Sequence, residues 1–282
     1  MQDDSFFRCL MYQFVSDFLL LFFRAMYHFL ADCVCQVRPI YALQEVAKDP
    51  FSIPNNWLFS NYIIAFNKMN YMNSLKNTAI ITVTGCIGLV IMGTMCGYWL
   101  IRHPSKINNF IFYLILGAMA IPFQAIMVPS VRVLRDIGLH GSHFGLSFSY
   151  WGMACSSVIF LTYGAIRSIP YEIEEAAIID GCSKFILFFK IIFPLLRTII
   201  LTFTILNMFW FWNDYLMPNI LLGNQKRLYT IQIALRVFSG ENTTRWDYLL
   251  SAIILAMVVP LIVFVSFQKL IINGMVSGAV KG

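Results

Sequence analysis

Charged residues are scarce in this chain of 282 residues, making up 12% of it, whereas hydrophobic residues make up 59%. A water-soluble globular protein usually carries about 25% charged residues. The mean hydropathy of +0.71 agrees with this imbalance. The composition therefore excludes an ordinary soluble globule and predicts an integral membrane protein, in which the 26 Phe, 13 Tyr and 6 Trp residues suit lipid-facing and interfacial positions.

Several kinds of functional site are missing as well. The net charge of +6 is spread along the chain without a basic block, so no nucleic acid partner is expected. No glycine-rich run ends in Gly-Lys-Ser or Gly-Lys-Thr, and the chain therefore has no loop that could hold the phosphates of ATP. The four histidines and seven cysteines show neither metal-ligand nor redox spacing, and no catalytic Ser/His/Asp or Cys/His set is present. We expect no enzyme activity, no metal site and no cofactor.

Long apolar runs are what the chain has in abundance. A membrane-spanning helix needs about 20 mostly apolar residues. Five segments meet this requirement, and the breaks between them are too polar to lie in hydrocarbon. They are 75–101, 109–131, 145–166, 198–222 and 248–272.

A sixth segment, 14–35, is a poorer candidate for a span. It is rich in Phe and Leu, but Asp17, Arg24, His28 and Asp32 interrupt it. Its insertion is marginal alone and plausible beside partner helices, so whether it spans stays open. Counting it, the sequence predicts an all-α integral membrane protein with six transmembrane helices.

The break between the fourth and fifth predicted spans, 167–197, differs from the others. Pro170 suits a helix start, and three carboxylates follow in the first turn, where the helix dipole favours negative charge. Gly181 supplies a left-handed or tight exit from this helix. Residues 182–193 can form a second short helix, which Pro194 stops or redirects. The pattern predicts a short helix, a sharp glycine turn and a second helix, projecting from the membrane.

The surface of the first short helix is acidic and lined with small residues. Its side chains include Glu174, Glu175, Ala176 and Ala177. Small alanines permit close approach, and carboxylates pair with Arg or Lys of another chain. The pattern indicates a docking element, with an ordinary amphipathic connector as the alternative.

This loop resembles the signature of ABC importer permeases, which reads Glu-Ala-Ala, three residues, Gly, nine residues, Ile, one residue, Leu, Pro. The chain gives this spacing at Glu175, Ala176, Ala177, Gly181, Ile191 and Pro194. It departs from the signature at Phe193, where Leu is usual. The flanking Ile169-Pro170 and Asp180-Gly181 are similar to the carbohydrate uptake branch, specifically the maltose-type second permease subunit. The resemblance covers residues 40–282 and frays in the first span.

The resemblance implies that the loop is cytoplasmic and docks into a cleft on a separate ATPase. The residues it assigns to ATPase coupling are Glu174, Glu175, Ala176, Ala177, Asp180, Gly181, Ile191 and Pro194. It implies as partners a homologous permease subunit in a heterodimer, two ATP-binding cassette subunits, an extracytoplasmic solute-binding protein and membrane lipid. The protein would then lie in the cell membrane of a bacterium and carry a sugar or short oligosaccharide by alternating access.

The same resemblance sets the expected organisation of the chain. We expect an N-terminal segment at 1–40 with the marginal first span, an extracytoplasmic loop at 41–74 and a transmembrane permease core at 75–272. The core contains the coupling loop 167–197, and a cytoplasmic tail follows at 273–282.

Polar residues inside spans often mark a transport pathway, because they are costly in lipid. Gln124 lies between two prolines of the third span, and the fifth span carries three more such residues. These candidates for the pathway are Gln124, Asn207, Asn213 and Asp214. A structural role is equally open for Gln124, and helix capping is favoured for Asp214. Gly93 and Gly97 form a small-xxx-small pair, which predicts close helix packing.

Three alternatives stay open at this point. The first is an ABC permease for a non-sugar solute, because the docking loop reports the motor and not the cargo. The second is a secondary transporter driven by an ion gradient, which would carry ionisable residues at mid-bilayer and broken helices in two repeated halves. The third is a non-functional relative, given the poor first span.

Overall fold

The structure, a computed structural model, describes residues 59–223, 225–239 and 245–279, with side chains for 248–267 in the last helix. Within these ranges the secondary-structure elements are all helices, which confirms the all-α prediction there. In chain order the α-helices are α1 (Ser60–Lys68), α2 (Tyr71–Arg102), α3 (Lys106–Ala118), α4 (Phe123–Asp136), α5 (His143–Arg167), α6 (Glu172–Ile179), α7 (Lys184–Leu195), α8 (Arg197–Asn213), α9 (Leu216–Leu222), α10 (Ile231–Ala234) and α11 (Trp246–Ala279). Two 3₁₀ helices, Lys226–Leu228 and Leu235–Phe238, follow α9 and α10.

Three helices of the described ranges are long and apolar enough to cross a membrane: α2, α5 and, over Tyr248–Phe267, α11. They coincide with three of the five predicted spans. The pairs α3–α4 and α7–α8 also qualify if each bent pair is counted as one span, which gives three to five spans. The marginal span 14–35 lies outside the described residues. Helix α11 continues to Ala279, so the first part of the expected tail, 273–279, is helical.

The predicted span 109–131 forms two helices where the sequence suggests one kinked helix. Helix α3 ends at Ala118 and α4 begins at Phe123, at an angle of 112°. Pro122 stands just before α4 with extended backbone (φ −58°, ψ 136°). Proline has no N–H and disfavours helical backbone in the residue before it, so a helix cannot run smoothly through this position.

The predicted span 198–222 is also divided. Helix α8 ends at Asn213, Asp214 has extended backbone (φ −70°, ψ 128°), and the separate helix α9 follows. On the N-terminal side, α7 includes a π-helical segment at Leu187–Ile192 and meets α8 at an angle of 76°. A continuous apolar run therefore does not reveal where the backbone changes direction.

The chain divides into two compact units, of which one comprises residues 77–228. In this unit the glycines of α2 lie against α5. A Cβ added at Gly93 would come within 2.4 Å of Val158, and one at Gly97 within 3.0 Å of Thr162. Only hydrogen in place of a side chain permits this approach, which confirms the packing role predicted for the glycine pair.

Helix α5 forms the centre of this unit and packs against α3, α4, α8 and α9. Tyr150 is fully buried, and its ring stacks on Phe211 of α8 at 4.4 Å between centroids. Towards α2, Trp151 donates its indole N–H to the Thr84 carbonyl at 3.2 Å, and Thr84 shares a hydrogen bond of 2.7 Å with Ser147. These contacts fix α5 as the element from which the following loop projects.

The second unit contains residues up to 76 and from 229 onward. In its described part α1 packs along α11, and the Tyr71 hydroxyl donates to the Leu255 carbonyl at 3.0 Å. The Tyr248 ring lies under two cations, with Lys68 at 5.0 Å and Arg245 at 4.4 Å. The expected extracytoplasmic loop 41–74 thus contains α1 and the start of α2.

Candidate functional site

The loop that follows α5 forms two helices joined by a glycine turn. Helix α6 begins after Tyr171, whose carbonyl accepts the backbone N–H groups of Glu174 and Glu175 at 2.9 and 3.1 Å. It ends at Gly181, which has a φ of +81°, and the next N–H, from Cys182, donates to the Ala177 carbonyl at 3.0 Å. This left-handed exit favours glycine, because a Cβ would crowd the backbone there.

The outward face of α6 combines apolar and acidic side chains. Ile179 is 84% exposed. Beside it Glu175, Ala176 and Asp180 are exposed as well. Fully burying one such isoleucine is worth about 1.5–3 kcal/mol relative to leaving it exposed. The face therefore has the composition of a contact surface with a polar margin.

Glu174 does not belong to this face. The sequence predicts its carboxylate for a partner chain, but the structure turns it inward, where Glu174 is 2% exposed. Its Oε1 accepts from Nε of Arg102 at 2.6 Å and lies 2.6 Å from Nη2 of the same side chain. Its Oε2 accepts from the Tyr98 hydroxyl at 2.8 Å. A carboxylate already held by these donors is not free for a second chain.

The predicted coupling residues therefore fall into two groups. Glu175, Ala176, Asp180, Gly181 and Pro194 are exposed. Glu174 and Ala177 are buried, and Ile191 is half-buried. Residues 174 and 177 lie three positions apart, which places both on the inner face of the helix.

Arg102, the last residue of α2, connects several parts of the loop. Besides Glu174, it reaches the Ile169 carbonyl at 3.1 Å and the Ile166 carbonyl at 3.5 Å with Nη2. Its guanidinium lies 5.5 Å from the centre of the Tyr171 ring, a cation–π distance. The end of α2 is thereby bound to the end of α5, to the connector and to α6.

A cavity of about 360 Å³ opens beside this ion pair, between α2, α6 and α7. Its walls are mainly aromatic and apolar, and Lys184 lies at its edge. On the α7 side, Phe188 lies 5.3 Å from the Tyr98 ring. The lining includes Met95, Tyr98, Trp99, Tyr171, Phe185, Phe188 and Phe189.

The predicted pathway residues are engaged mostly with their own helices. Asn207 donates to the Phe203 carbonyl at 2.8 Å, and Asn213 donates to the Phe209 carbonyl at 2.9 Å. Gln124 is exposed in the first turn of α4. Neither of these hydrogen bonds, nor the exposure of Gln124, identifies a binding site for solute.

Asp214 holds a structural position between α8 and α9. Its Oδ2 accepts from the Tyr150 hydroxyl at 2.8 Å, and its Oδ1 accepts from the Leu216 N–H at 3.0 Å. Asp214 therefore joins α5 to the turn before α9, whose N-cap is Tyr215 without a side-chain cap hydrogen bond.

Comparison with known proteins gives a family. Residues 89–277 match the model of the binding-protein-dependent transport system inner membrane component family. The chain belongs to this family. It is therefore a permease of the inner membrane, with several apolar helices, and the predicted localisation is confirmed.

Individual relatives agree with this assignment. Over 84% of its length the permease is 33% identical to the probable starch degradation products transport system permease protein AmyC of Thermoanaerobacterium thermosulfurigenes, covering 86% of that protein. Over 81% of its length it is 36% identical to the melibiose/raffinose/stachyose import permease protein MelC of Bacillus subtilis (strain 168), covering 83% of it.

The fold of the permease also has a counterpart among solved structures. A chain of a bacterial ABC transporter involved in the import of the acidic polysaccharide alginate superposes with a TM-score of 0.74 at 22% identity. The match covers 95% of the permease and 98% of that chain. A structure of the alginate transporter in complex with an alginate pentasaccharide-bound periplasmic protein superposes with a TM-score of 0.60 at 16% identity, over 92% of the permease and 97% of that chain.

Two residues at the site were not predicted from the sequence, Tyr98 and Arg102. Their signal is weak, because a basic residue at the end of a span is ordinary. They lie four positions apart and therefore share one face of α2, as Glu174 and Ala177 share one face of α6. Matching those two faces would have required knowing that α2 and α6 meet.

Proposed function

We propose that the permease and a homologous permease subunit together form the membrane pathway of an importer for a sugar or oligosaccharide. Two ATP-binding cassette subunits would supply the energy, and an extracytoplasmic solute-binding protein would deliver the solute. The relatives named for starch degradation products and for melibiose, raffinose and stachyose support the class of solute. The periplasmic protein bound in the alginate structure supports the delivery partner.

The observation that carries this proposal is the outward face of α6. This short helix lies between spans, yet its outward face exposes Ile179 together with the carboxylate of Glu175. An apolar centre with a charged edge is the composition of a protein interface. Since the chain has no phosphate-binding loop, we assign this face to the ATPase that must act on it.

The length of α2 supports placing the loop outside the hydrocarbon. Its 32 residues extend about 48 Å at 1.5 Å per residue, whereas the hydrocarbon core is about 30 Å thick. The end of α2 at Arg102 and the helix α6 bound to it can therefore stand in the aqueous phase. With 14–35 counted as the first of six spans, we place this loop on the cytoplasmic side.

The break between α3 and α4 is the part of the described chain best suited to line a solute path. Irregular backbone within a membrane is tolerated only against protein or water. Beside this break lies a cavity of about 180 Å³, lined by residues that include Met119, Phe123, Ser157 and Trp210. An aromatic face and a hydroxyl suit a sugar ring. We propose that the nearby Gln124 faces the same path, whereas Asn207, Asn213 and Asp214 hold structure.

The docking proposal is tested by changing the outward face of α6 in the assembled transporter. Glu175→Lys and Ile179→Asp are expected to reduce co-purification of the ATPase subunits at least tenfold, with insertion of the permease unchanged. The matched controls are Asp136→Lys, an exposed carboxylate at the end of α4, and Ile137→Asp, a 52% exposed isoleucine after α4. Wild-type co-purification with both test variants would contradict the proposal.

The orientation is tested separately by labelling. A cysteine at Asp180, in a background without the native cysteines, should react with a membrane-impermeant maleimide only in inside-out vesicles. Reaction in intact cells would place the loop on the wrong side. For the cargo, uptake of maltotriose and raffinose is compared with uptake of glycine betaine and phosphate, since a non-sugar solute is the alternative.

A further inference from the structure

A buried ion pair connects the proposed docking helix to a long membrane helix. The side chain of Glu174 on α6 is 3% exposed, and that of Arg102 at the end of α2 is 13% exposed. The proposed docking function uses the outward face of α6 and leaves this inner face without a role. On this face, the Glu174 carboxylate accepts hydrogen bonds from Tyr98 and Arg102, which lie one turn apart at the end of α2.

The geometry of this contact differs from ordinary helix packing. Apolar surfaces can slide past each other over small distances with little change in energy, which is how packed helices shear. Charge-assisted hydrogen bonds are directional and are lost over a short displacement. Both carboxylate oxygens of Glu174 are engaged, Oε1 by Arg102 and Oε2 by Tyr98 at 2.8 Å. The inner face of α6 therefore cannot slide along α2 without breaking these hydrogen bonds.

Tyr98 and Arg102 extend this connection to the other parts of the loop. Arg102 also holds the connector through the Ile169 carbonyl at 3.1 Å. The Tyr98 ring packs against Phe188 of α7, with 5.3 Å between the ring centres. One turn of α2 thus contacts both helices of the loop, and a cavity of about 360 Å³ beside it leaves room for the surrounding side chains to rearrange.

We propose that Arg102, Glu174 and Tyr98 form an ionic clamp that makes α6 and the end of α2 move as one body. When the ATPase displaces α6, the clamp transmits this displacement to α2. These are positioning residues, because they act through the placement of α6 against α2. The inference rests on the proposed docking of α6 and adds the element that receives the movement.

The test removes the polar connection and keeps the packing. In the triple variant Arg102→Met, Glu174→Leu, Tyr98→Phe, apolar side chains of similar volume replace the clamp, a kind of replacement that buried ion pairs often tolerate. The tyrosine is included because its hydroxyl would otherwise lose its acceptor. The outward face of α6 is unchanged, so the ATPase subunits are expected to co-purify in the wild-type amount.

The readout is the distance between α6 and α2 in the complete transporter. Spin labels are placed at Ile173, which lies off the docking face, and at Ile91 through unnatural amino acids, because the chain has seven cysteines of its own. Distances are measured without nucleotide and after trapping with ATP and vanadate. The distance should be the same in both states with the clamp intact, and should shift by several ångströms on trapping in the triple variant.

The outcomes separate the clamp from the docking it depends on. The clamp proposal is wrong, and docking still stands, if the triple variant keeps the same distance in both states. The same conclusion follows if the distance changes on trapping in the permease with the intact clamp. If the wild-type permease captures no ATPase, docking is wrong and the clamp fails with it. If the triple variant is less stable to heat but keeps the same distance in both states, the ion pair has a purely structural role and the clamp is refuted.

Discussion

Gly181 offers a test in which backbone strain can be separated from side-chain size. Its φ is +81°, in the region that L-residues with a Cβ rarely adopt. A Cβ built on it meets no atom within 4 Å. Replacing Gly181 by Ala therefore introduces strain and no collision. Since the residue ends α6, the strain acts directly on the orientation of the proposed docking face.

The expected magnitude follows from the cost of left-handed backbone, about 1–2 kcal/mol for a residue with a Cβ. A change of this size lowers the population of the native turn about 5- to 30-fold relative to a relaxed alternative. Because only the native conformation of the loop binds, the apparent affinity for the ATPase falls with the fraction of loops that keep the native turn, and this factor is the upper limit of the loss. Gly181→Asn should lose less, since asparagine adopts this conformation more readily.

Gly138 provides the matched control. It lies between α4 and α5, has a φ of +75°, and a Cβ there would also meet nothing within 4 Å. Gly138→Ala should therefore carry the same strain at a loop that is not proposed to dock. The assay compares thermal stability of the purified permease with ATPase binding measured by titration. Both alanine variants should be destabilised alike, and only Gly181→Ala should bind the ATPase more weakly.

Side-chain size supplies the second half of the experiment. In the permease alone, Gly181→Leu should cost about as much as Gly181→Ala, because the surrounding space is open. In the complex, a larger loss for leucine would show that the ATPase approaches this turn closely. Unimpaired ATPase binding by both Gly181→Ala and Gly181→Leu would refute the reasoning, because it would mean that the conformation of the turn does not govern docking.

Two further predictions concern the membrane core. Gly93→Ala should lower the stability of the permease by about 1–3 kcal/mol through overpacking against Val158, and adding Val158→Ala should restore part of this loss. The control Gly152→Ala, which has open space around its Cβ, should be neutral or stabilising in the same thermal melts. Tyr150→Phe removes the hydrogen bond that the Tyr150 hydroxyl donates to Oδ2 of Asp214 at 2.8 Å. Because this buried acceptor then lacks its donor, the variant should lose about 1.5–3 kcal/mol of stability, and a melting curve equal to that of the wild type would contradict this.

Spans are predictable from this sequence because a bilayer imposes one simple requirement on composition. The predicted 75–101 and 145–166 differ from α2 and α5 by only a few residues at each end. Bends do not follow from composition. Residues 119–122 and Asp214 interrupt runs of uniform hydropathy, and the direction taken after each break depends on tertiary packing.

The loop was predictable in its local structure and not in its inner contacts. Pro170 and Gly181 carry intrinsic backbone preferences, which are visible in one sequence. The direction in which Glu174 and Glu175 point is not a local property, because adjacent carboxylates of one helix have the same propensities. Arg102, 72 positions earlier, decides which of them is buried. The motif alone therefore predicts that both carboxylates are available for docking, whereas in the structure only Glu175 is exposed.

The polarity of α6 is inverted at two of its positions relative to an ordinary helix on a protein surface. Such a helix turns apolar side chains inward and charged ones outward. Here the charge of Glu174 is inside, matched by Arg102, and Ile179 is outside. Internal packing gives no reason for Ile179 to be exposed, whereas the buried carboxylate has a partner that fully accounts for its position. This inversion is explained if the outer face of α6 binds another protein while the inner face holds its position against α2 under force. The same two-turn helix then needs both a docking surface and a clamp.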